Sequence, residues 1–387
     1  MSANRLLAVK LADIGDVILT TPALRALRVA HPDARLDYLT SPNGAAALRG
    51  SPLVDEVLTF EKGRFDRIGG VARPGGAAEI VRFGAQLRSR RYDAVLLFHH
   101  LMTAWGAAKF NGLLLASGAP VRVGIDNGRG WALTHRARDQ GFGVYHEVEY
   151  ALQVVAALVG DDTPADLDLA FPIPASADTA AERLVAGLPA GPRVAVFPGS
   201  GAYSLARRWP ARYYAQLADA LQRRGVAVVL VGRASDDTGQ VRAAMETMLA
   251  LDLTDQTDLP TLGGILRRVD LLVTNDGGPM HIAAAVGTPV VAAFGLSNDG
   301  AYGPWDNGEP PHLWPPRALA PATLSRHTVV KLDLNCMPCF YRGMRLGAPH
   351  GCPTRECLEL LSPALVLGAV EARLALLGVI QEGHHAR

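Results

Sequence analysis

Residues Leu271–Phe294 read LLVTNDGGPMHIAAAVGTPVVAAF. Leu271–Thr274 is a short apolar run of strand type. Asn275 to Gly278 form a turn in which Gly277 and Gly278 permit close backbone approach. Pro279 suits the start of a helix, Met280–Val286 carries it, and Val290–Phe294 returns as a second apolar strand. Strand, glycine turn, helix and strand make a β–α–β unit. Continuous apolar strands joined by helices imply a parallel sheet covered on both faces. Asp276 is placed to cap the helix. The free amides and positive dipole end beyond it favour a diphosphate. His281, taken alone, reads as a core histidine.

The alternation continues on both sides of that unit. Upstream, Val194–Phe197 and Ala227–Val231 read as strands, with helices at Pro210–Arg224, Asp236–Leu249 and Leu259–Arg267; downstream, Pro363–Leu377 is a last helix. An earlier series has strands at Leu6–Leu11, Leu36–Leu39, Val54–Phe60, Ala94–Phe98 and Val121–Gly124. Its helices are Val17–Ala30, Ile80–Arg91, Thr103–Ala116 and Val148–Val159. Glu61–Ala78 and Asp126–Val144 read as long Gly- and Arg-rich loops. Phe171-Pro-Ile-Pro-Ala-Ser reads as an extended linker, because proline removes a donor and biases its predecessor to extended backbone. The predicted domains are a first α/β lobe over 1–175, a second over 190–360, and a C-terminal helix region over 361–387 that packs back on the first lobe.

Composition sets outer bounds. The 387 residues are 49% hydrophobic, 19% charged and 6% aromatic, which excludes a disordered chain. The net charge of +1 argues against a protein that coats nucleic acid. Four of the 38 basic side chains are lysines and the rest are arginines, most of them read as coding bias. No signal-type apolar segment opens the sequence, and no uncharged run reaches the ~18 residues of a membrane span, since Glu371 and Arg373 interrupt Leu360–Ile380. A soluble, cytoplasmic protein is expected, with work at a membrane surface left open.

Three further segments carry chemistry. Ala12-Asp-Ile-Gly-Asp16 falls where the first strand meets the first helix, the edge at which open α/β sheets bind ligands. Gly15 allows the turn, and Asp16 reads either as a helix cap or as a general base. The fingerprint G-x-G-x-x-G is absent there. Phe197-Pro-Gly199-Ser200-Gly201, followed by Arg207-Arg208-Trp209-Pro210, offers amides and a guanidinium to an anion; an ordinary loop with a solvated Arg pair is the level alternative. The four cysteines are Cys336, Cys339, Cys352 and Cys357, spaced C-x2-C-x12-C-x4-C. On that spacing a structural Zn or Fe site and free thiols stand level.

Taken in order, Lys10–Leu24, Phe197–Ser200 with Arg207–Pro210, Val273–Gly295 and Cys336–Phe340 resemble glycosyltransferase family 9, the heptosyltransferases. The resemblance implies a GT-B type fold: two facing Rossmann-like doubly wound lobes with parallel sheets, acceptor on the first, nucleotide-sugar on the second. It implies inverting, metal-independent transfer from ADP-heptose to a lipopolysaccharide core or other surface glycan at the inner membrane surface, with no nucleic-acid partner. Asp16 matches the proposed catalytic base, with Gly15 and Thr20 on the acceptor side. Donor contacts fall on Gly199, Ser200, Arg207, Arg208, Asp276, Gly277, Gly278, Met280 and His281, Arg207 standing where the family often has a lysine. Gly277 departs from the usual Ser/Thr, and Phe294-Gly-Leu-Ser297 from the usual Phe-Gly-Pro-Thr. Arginines and lysine in Lys62–Arg73 and Arg129–Arg138 are candidate contacts to an anionic acceptor, with solvated loop charge the favoured alternative for any single one.

The rival readings are another nucleotide-sugar donor or a protein acceptor within the same family, a non-catalytic two-lobed binding protein, and an NAD-dependent oxidoreductase. The missing glycine fingerprint disfavours the last.

Overall fold

The computed structural model describes residues 4–65, 74–160, 166–314, 324–343 and 345–380. The chain divides into two compact units, Met1–Leu167 with Gly343–Arg345, and Asp168–Arg342 with Leu346–Arg387. Each is an α/β lobe built on one parallel sheet.

The first sheet holds β1 (Arg5–Lys10), β2 (Arg35–Thr40), β3 (Glu56–Thr59), β4 (Ala94–Leu97), β5 (Val121–Asp126) and β6 (His135–Arg138), in the order β3-β2-β1-β4-β5-β6. Lys10 lies level with Thr40 on one side of β1, and Val9 with Leu97 on the other. The strand order reverses between β1 and β4, which opens a crevice at their carboxyl ends. Leu7, Val9, Val95 and Leu97 pack on Leu87, Phe110 and Leu114 of the covering helices, all of them buried. Each such aliphatic side chain contributes about 1.5–3 kcal/mol on burial.

The second sheet runs β12-β13-β11-β10-β7-β8-β9, with β7 (Arg193–Phe197), β8 (Ala227–Leu230), β9 (Leu251–Asp252), β10 (Leu271–Asn275), β11 (Val290–Ala293), β12 (His312–Trp314) and β13 (Thr328–Val330). Its order reverses between β7 and β10. Val194, Val228, Val273 and Val291 form one core with Tyr214 and Leu217 of the helix Ala211–Arg223 and with Val366, Val370 and Leu374 of the helix Pro363–Leu376.

That last contact corrects the expected position of the C-terminal helix. It packs on the second lobe's own sheet, where Arg373 donates to Thr328 Oγ1 at 2.7 Å and to the carbonyls of Ser325 and His327. An apolar stripe alone does not say which lobe it covers. The lobe boundary also moves. Residues 168–174 and a helix Ala175–Val185 belong to the second unit rather than to a linker. Gly264 has no room for a Cβ beside Ala181, and one on Gly263 would crowd the Phe171 ring. Gly264 thus lets this helix press onto the helix Leu259–Leu266, and Gly263 admits Phe171 beside it.

Element boundaries otherwise follow the sequence reading with local changes. The first predicted helix is two, Ile14–Ile18 and Thr21–Ala30, broken where Thr20 Oγ1 donates to the Val17 carbonyl (2.7 Å) and Pro22 enters the second helix. The predicted loop Asp126–Val144 contains the edge strand β6. The helix expected over Asp236–Leu249 shortens to Thr238–Ala244. Among the described residues no helix is long and apolar enough to cross a membrane.

Candidate functional site

In the first lobe, β1 ends at Lys10 and the chain turns into the helix Ile14–Ile18. Asp13 occupies the N-cap without a side-chain capping bond, and Asp16 sits in the first turn, beside Gly15. Asp16, Lys10, Thr20, Phe98, Glu147 and Tyr150 line one pocket. The Thr20 proton is committed to Val17, so Tyr38, 2.8 Å away, donates its hydroxyl to Thr20.

A row of buried charges runs behind this pocket. Lys10 Nζ donates to Glu147 Oε2 at 2.9 Å. His100 Nε2 lies 2.9 Å from Glu147 Oε1, and its Nδ1 lies 3.0 Å from Asp139 Oδ2. The Gly141 amide donates to Asp139 Oδ1 at 2.8 Å. Burial pushes the His100 imidazole down, but the two carboxylates outweigh it and raise it to about 9. His100 is therefore an imidazolium that donates from both nitrogens. It is packed between the Phe142 ring and the edge of Tyr150.

The two carboxylates of the pocket titrate in opposite directions. Burial raises Asp16, and Glu147 adds to that rise while Lys10 opposes it. Burial also pushes Glu147 up, yet Lys10 and His100 hold it well below the usual carboxylate range. Lys10 resists the downward push of burial through Glu147 and Asp16, and stays charged. His99 is neutral, held well below its ordinary value by burial and by Lys10; its Nε2 accepts the Leu11 amide at 2.7 Å and so fixes the turn after β1.

In the second lobe, the loop after β7 and the turn after β10 meet at the corresponding reversal. Asn275, fully buried, ties them together. Its Nδ2 donates to the carbonyls of Pro198 (2.7 Å) and Gly199 (2.9 Å), and its Oδ1 accepts the Trp209 amide at 2.8 Å. A Cβ on Gly199 would stand 2.4 Å from Asp236 Oδ1, so only glycine fits. Ser200 Oγ donates to the Ser204 carbonyl (3.0 Å) and accepts from Arg208 Nε (3.3 Å). Arg208 also pairs with Asp237 at 2.9 Å and Asp236 at 3.6 Å. These bonds make Ser200 and Arg208 clamps that shape the loop.

Arg207 stands differently. Its Nη1 donates to Asp276 Oδ2 at 3.1 Å, which orients the guanidinium. Asp276 is thus the partner of Arg207 and not the helix cap expected from its position. Gly277 is the cap residue of the helix Gly278–Ala285 and supplies no side-chain bond to it. Met280 and His281 are buried beneath that helix start. An oriented arginine beside a helix N-terminus that lacks a side-chain cap suits an oxyanion.

The other expected contacts divide. Arg129 donates to the Leu101 and Met102 carbonyls, and Arg136 pairs with Asp126. These are bonds internal to the lobe. Residues 66–73 lie outside the described set. The four cysteines are free thiols: Cys336 and Cys352 exposed, Cys339 half-buried, Cys357 buried. Burial, and then the neighbouring thiols, push Cys357 up to about 11. Among the described residues no three His, Cys, Asp or Glu side chains gather closely enough to hold a metal ion, so the Zn or Fe site finds no assembled ligand set.

Several members of this site escaped the sequence reading: His99, His100, Asp139, Glu147 and Asn275. A signal did exist for three of them. His99 and His100 directly follow the apolar run Ala94–Phe98, and Asn275 ends Leu271–Thr274, so all three lie at strand carboxyl ends.

Each lobe thus carries a strand-end site, and comparison with known proteins gives the family. Residues 80–348 match glycosyltransferase family 9 (heptosyltransferase), and the chain belongs to that family. Lipopolysaccharide heptosyltransferase 3 of Escherichia coli K12 is 28% identical over 310 residues, covering 75% of this chain and 82% of that protein. A solved family 9 glycosyl transferase from Veillonella parvula superposes with a TM-score of 0.70 at 23% identity, over 96% of this chain and 97% of the other. The E. coli ADP-heptose LPS heptosyltransferase II gives 0.68 at 21% identity, over 97% and 99%.

Proposed function

We propose that the protein transfers heptose from ADP-heptose to a lipopolysaccharide core or related surface glycan, with inversion at the anomeric carbon. The observation that carries the mechanism is that Asp16 and Glu147 line one pocket in which Lys10 and His100 occupy both Glu147 oxygens, so that burial raises Asp16 while its neighbours lower Glu147. Environments that push such a pair apart mark acid–base roles. Asp16 is the base. It takes the proton of an acceptor hydroxyl as that oxygen bonds to the anomeric carbon. The bond from that carbon to the nucleoside diphosphate breaks, and its electron pair leaves with the phosphate. Arg207, the amides of Gly199–Gly201 and the start of the helix Gly278–Ala285 take up the developing charge. The names of the sequence relatives, lipopolysaccharide and lipooligosaccharide heptosyltransferases, support the donor and the acceptor class. Work on the cytoplasmic side, at the inner membrane surface, is part of the same proposal.

The test is a thermal-shift panel of nucleotide sugars on the full chain, followed by transfer assays with core glycolipid. Stabilisation by ADP-heptose above UDP- and GDP-sugars, with transfer to heptose-containing core, is expected. A different preferred nucleotide, or release of ADP without transfer to any glycan, overturns the reading.

A further inference from the structure

The row Lys10–Glu147–His100–Asp139 exceeds what the fold requires. Apolar replacements of buried ion pairs are often neutral or stabilising, so four buried charges in series point to a task. Both Glu147 oxygens are engaged, one by Lys10 and the other by His100. His100 is in turn fixed by Asp139, and Asp139 by the Gly141 amide. Lys10 therefore points at Glu147 and shares a pocket with Asp16. A buried lysine lacking this tether would either lose its proton or close directly onto Asp16, quenching its basicity.

We propose that Lys10, tethered by the Glu147–His100–Asp139 row, is a positioning residue that sets the charge state of Asp16 in the first-lobe pocket. The proposal rests on the reading of Asp16 as the base. The charged groups facing Asp16 are Lys10 and Lys62, which favour its carboxylate, and Glu147 and Asp13, which oppose it. Of these, Lys10 and Glu147 are the buried pair, and they act with opposite sign.

That opposition supplies the test. The pH dependence of kcat/KM is measured on the full chain, and its acid limb reports the base of the free enzyme. Lys10→Met should move the limb up by about one pH unit, as loss of a nearby opposite charge does. Glu147→Gln should move it down by a similar amount, because a like charge is lost and Lys10 turns to Asp16. The double variant Lys10→Met/Glu147→Gln should return close to the wild-type limb. Limbs that stay put, or that move the same way in both single variants, overturn the proposal. Should Lys10→Met not fold, Glu147→Gln decides alone, and a limb that stays or rises overturns it. Asp16 itself is followed by 13C-carboxyl NMR, as the difference between the protein and Asp16→Asn. If Asp16→Asn retains wild-type turnover while the Asp16 titration shifts as stated, the base assignment falls and the charge coupling stands. If Asp16→Asn is inactive and the titration does not respond to either substitution, the coupling falls.

Discussion

Strand β1 of the first lobe leads into Asp16 and a row of buried charges; strand β7 of the second leads into glycines, backbone amides and an arginine. Both places are the same in topology, the reversal point of a parallel sheet. Their chemistry differs because the side chains behind them differ. In the first lobe, burial and Glu147 raise Asp16 against the pull of Lys10, while Lys10 and His100 hold Glu147 down. That arrangement suits moving a proton. In the second lobe, Asn275 and Arg208 lock a glycine-bearing loop, and Arg207 is held beside it by Asp276. That arrangement suits holding charge. On the proposed mechanism, one architecture supplies a general base or an anion cradle, depending on whether the crevice is lined by carboxylates or by glycine.

If this division is right, substitutions on the two sides should separate cleanly. Asp16→Asn should have the largest effect, lowering kcat by roughly 10²–10⁴-fold as loss of a general base does. Its affinity for ADP-heptose, read by calorimetry, should be unchanged; weakened donor binding would break the comparison. Arg207→Ala should weaken donor binding by about 10–100-fold, the worth of a charge-assisted hydrogen bond or two. Its acid limb should stay in place, since Arg207 belongs to the other lobe.

The buried row should also show in stability. His100 is raised from its ordinary 6.5 to about 9. Its stabilisation is complete below pH 6.5 and is lost as pH rises through about 9, at most roughly 3 kcal/mol. The melting temperature should therefore fall between those values in the wild type. In His100→Gln the fall should be absent; an equal fall would show that the row does not titrate there. The smallest effect concerns the cysteines. Exposed Cys352, whose thiol is lowered by the Thr354 hydroxyl, should react first with a thiol reagent, and buried Cys357 last. Equal protection of all four, reversed by a chelator, would instead reveal a bound metal.

Much of the fold was legible because apolar strand runs are short and continuous in this chain. Leu6–Leu11, Ala94–Phe98 and Leu271–Thr274 announce central strands that are buried on both faces. The edge strand β6 was not legible: His135–Arg138 is polar, and only pairing with β5 makes it a strand. The helix Ala175–Val185 was hidden by the prolines before it, which read as a linker. Of the site, the residues in local motifs were legible, including Asp16, Gly199 and Arg207. Glu147 was not, because it lies 137 residues from Lys10 in sequence and nothing local pairs them. Asp276 was assigned a capping role that its neighbour Gly277 fills, since a cap and an ion pair look alike until Arg207 is placed.

By itself, then, the sequence determined two parallel α/β lobes, because periodicity and glycine turns are local properties of the chain. It also determined the family, because motifs keep their order along the chain. Tertiary structure alone decided that the last helix covers the second lobe and that Arg208 clamps the loop while Arg207 pairs with Asp276. It alone decided that Asp16 and Glu147 share a pocket and titrate apart. Those outcomes depend on distances between residues remote in sequence, and burial and Coulomb interaction act through distance.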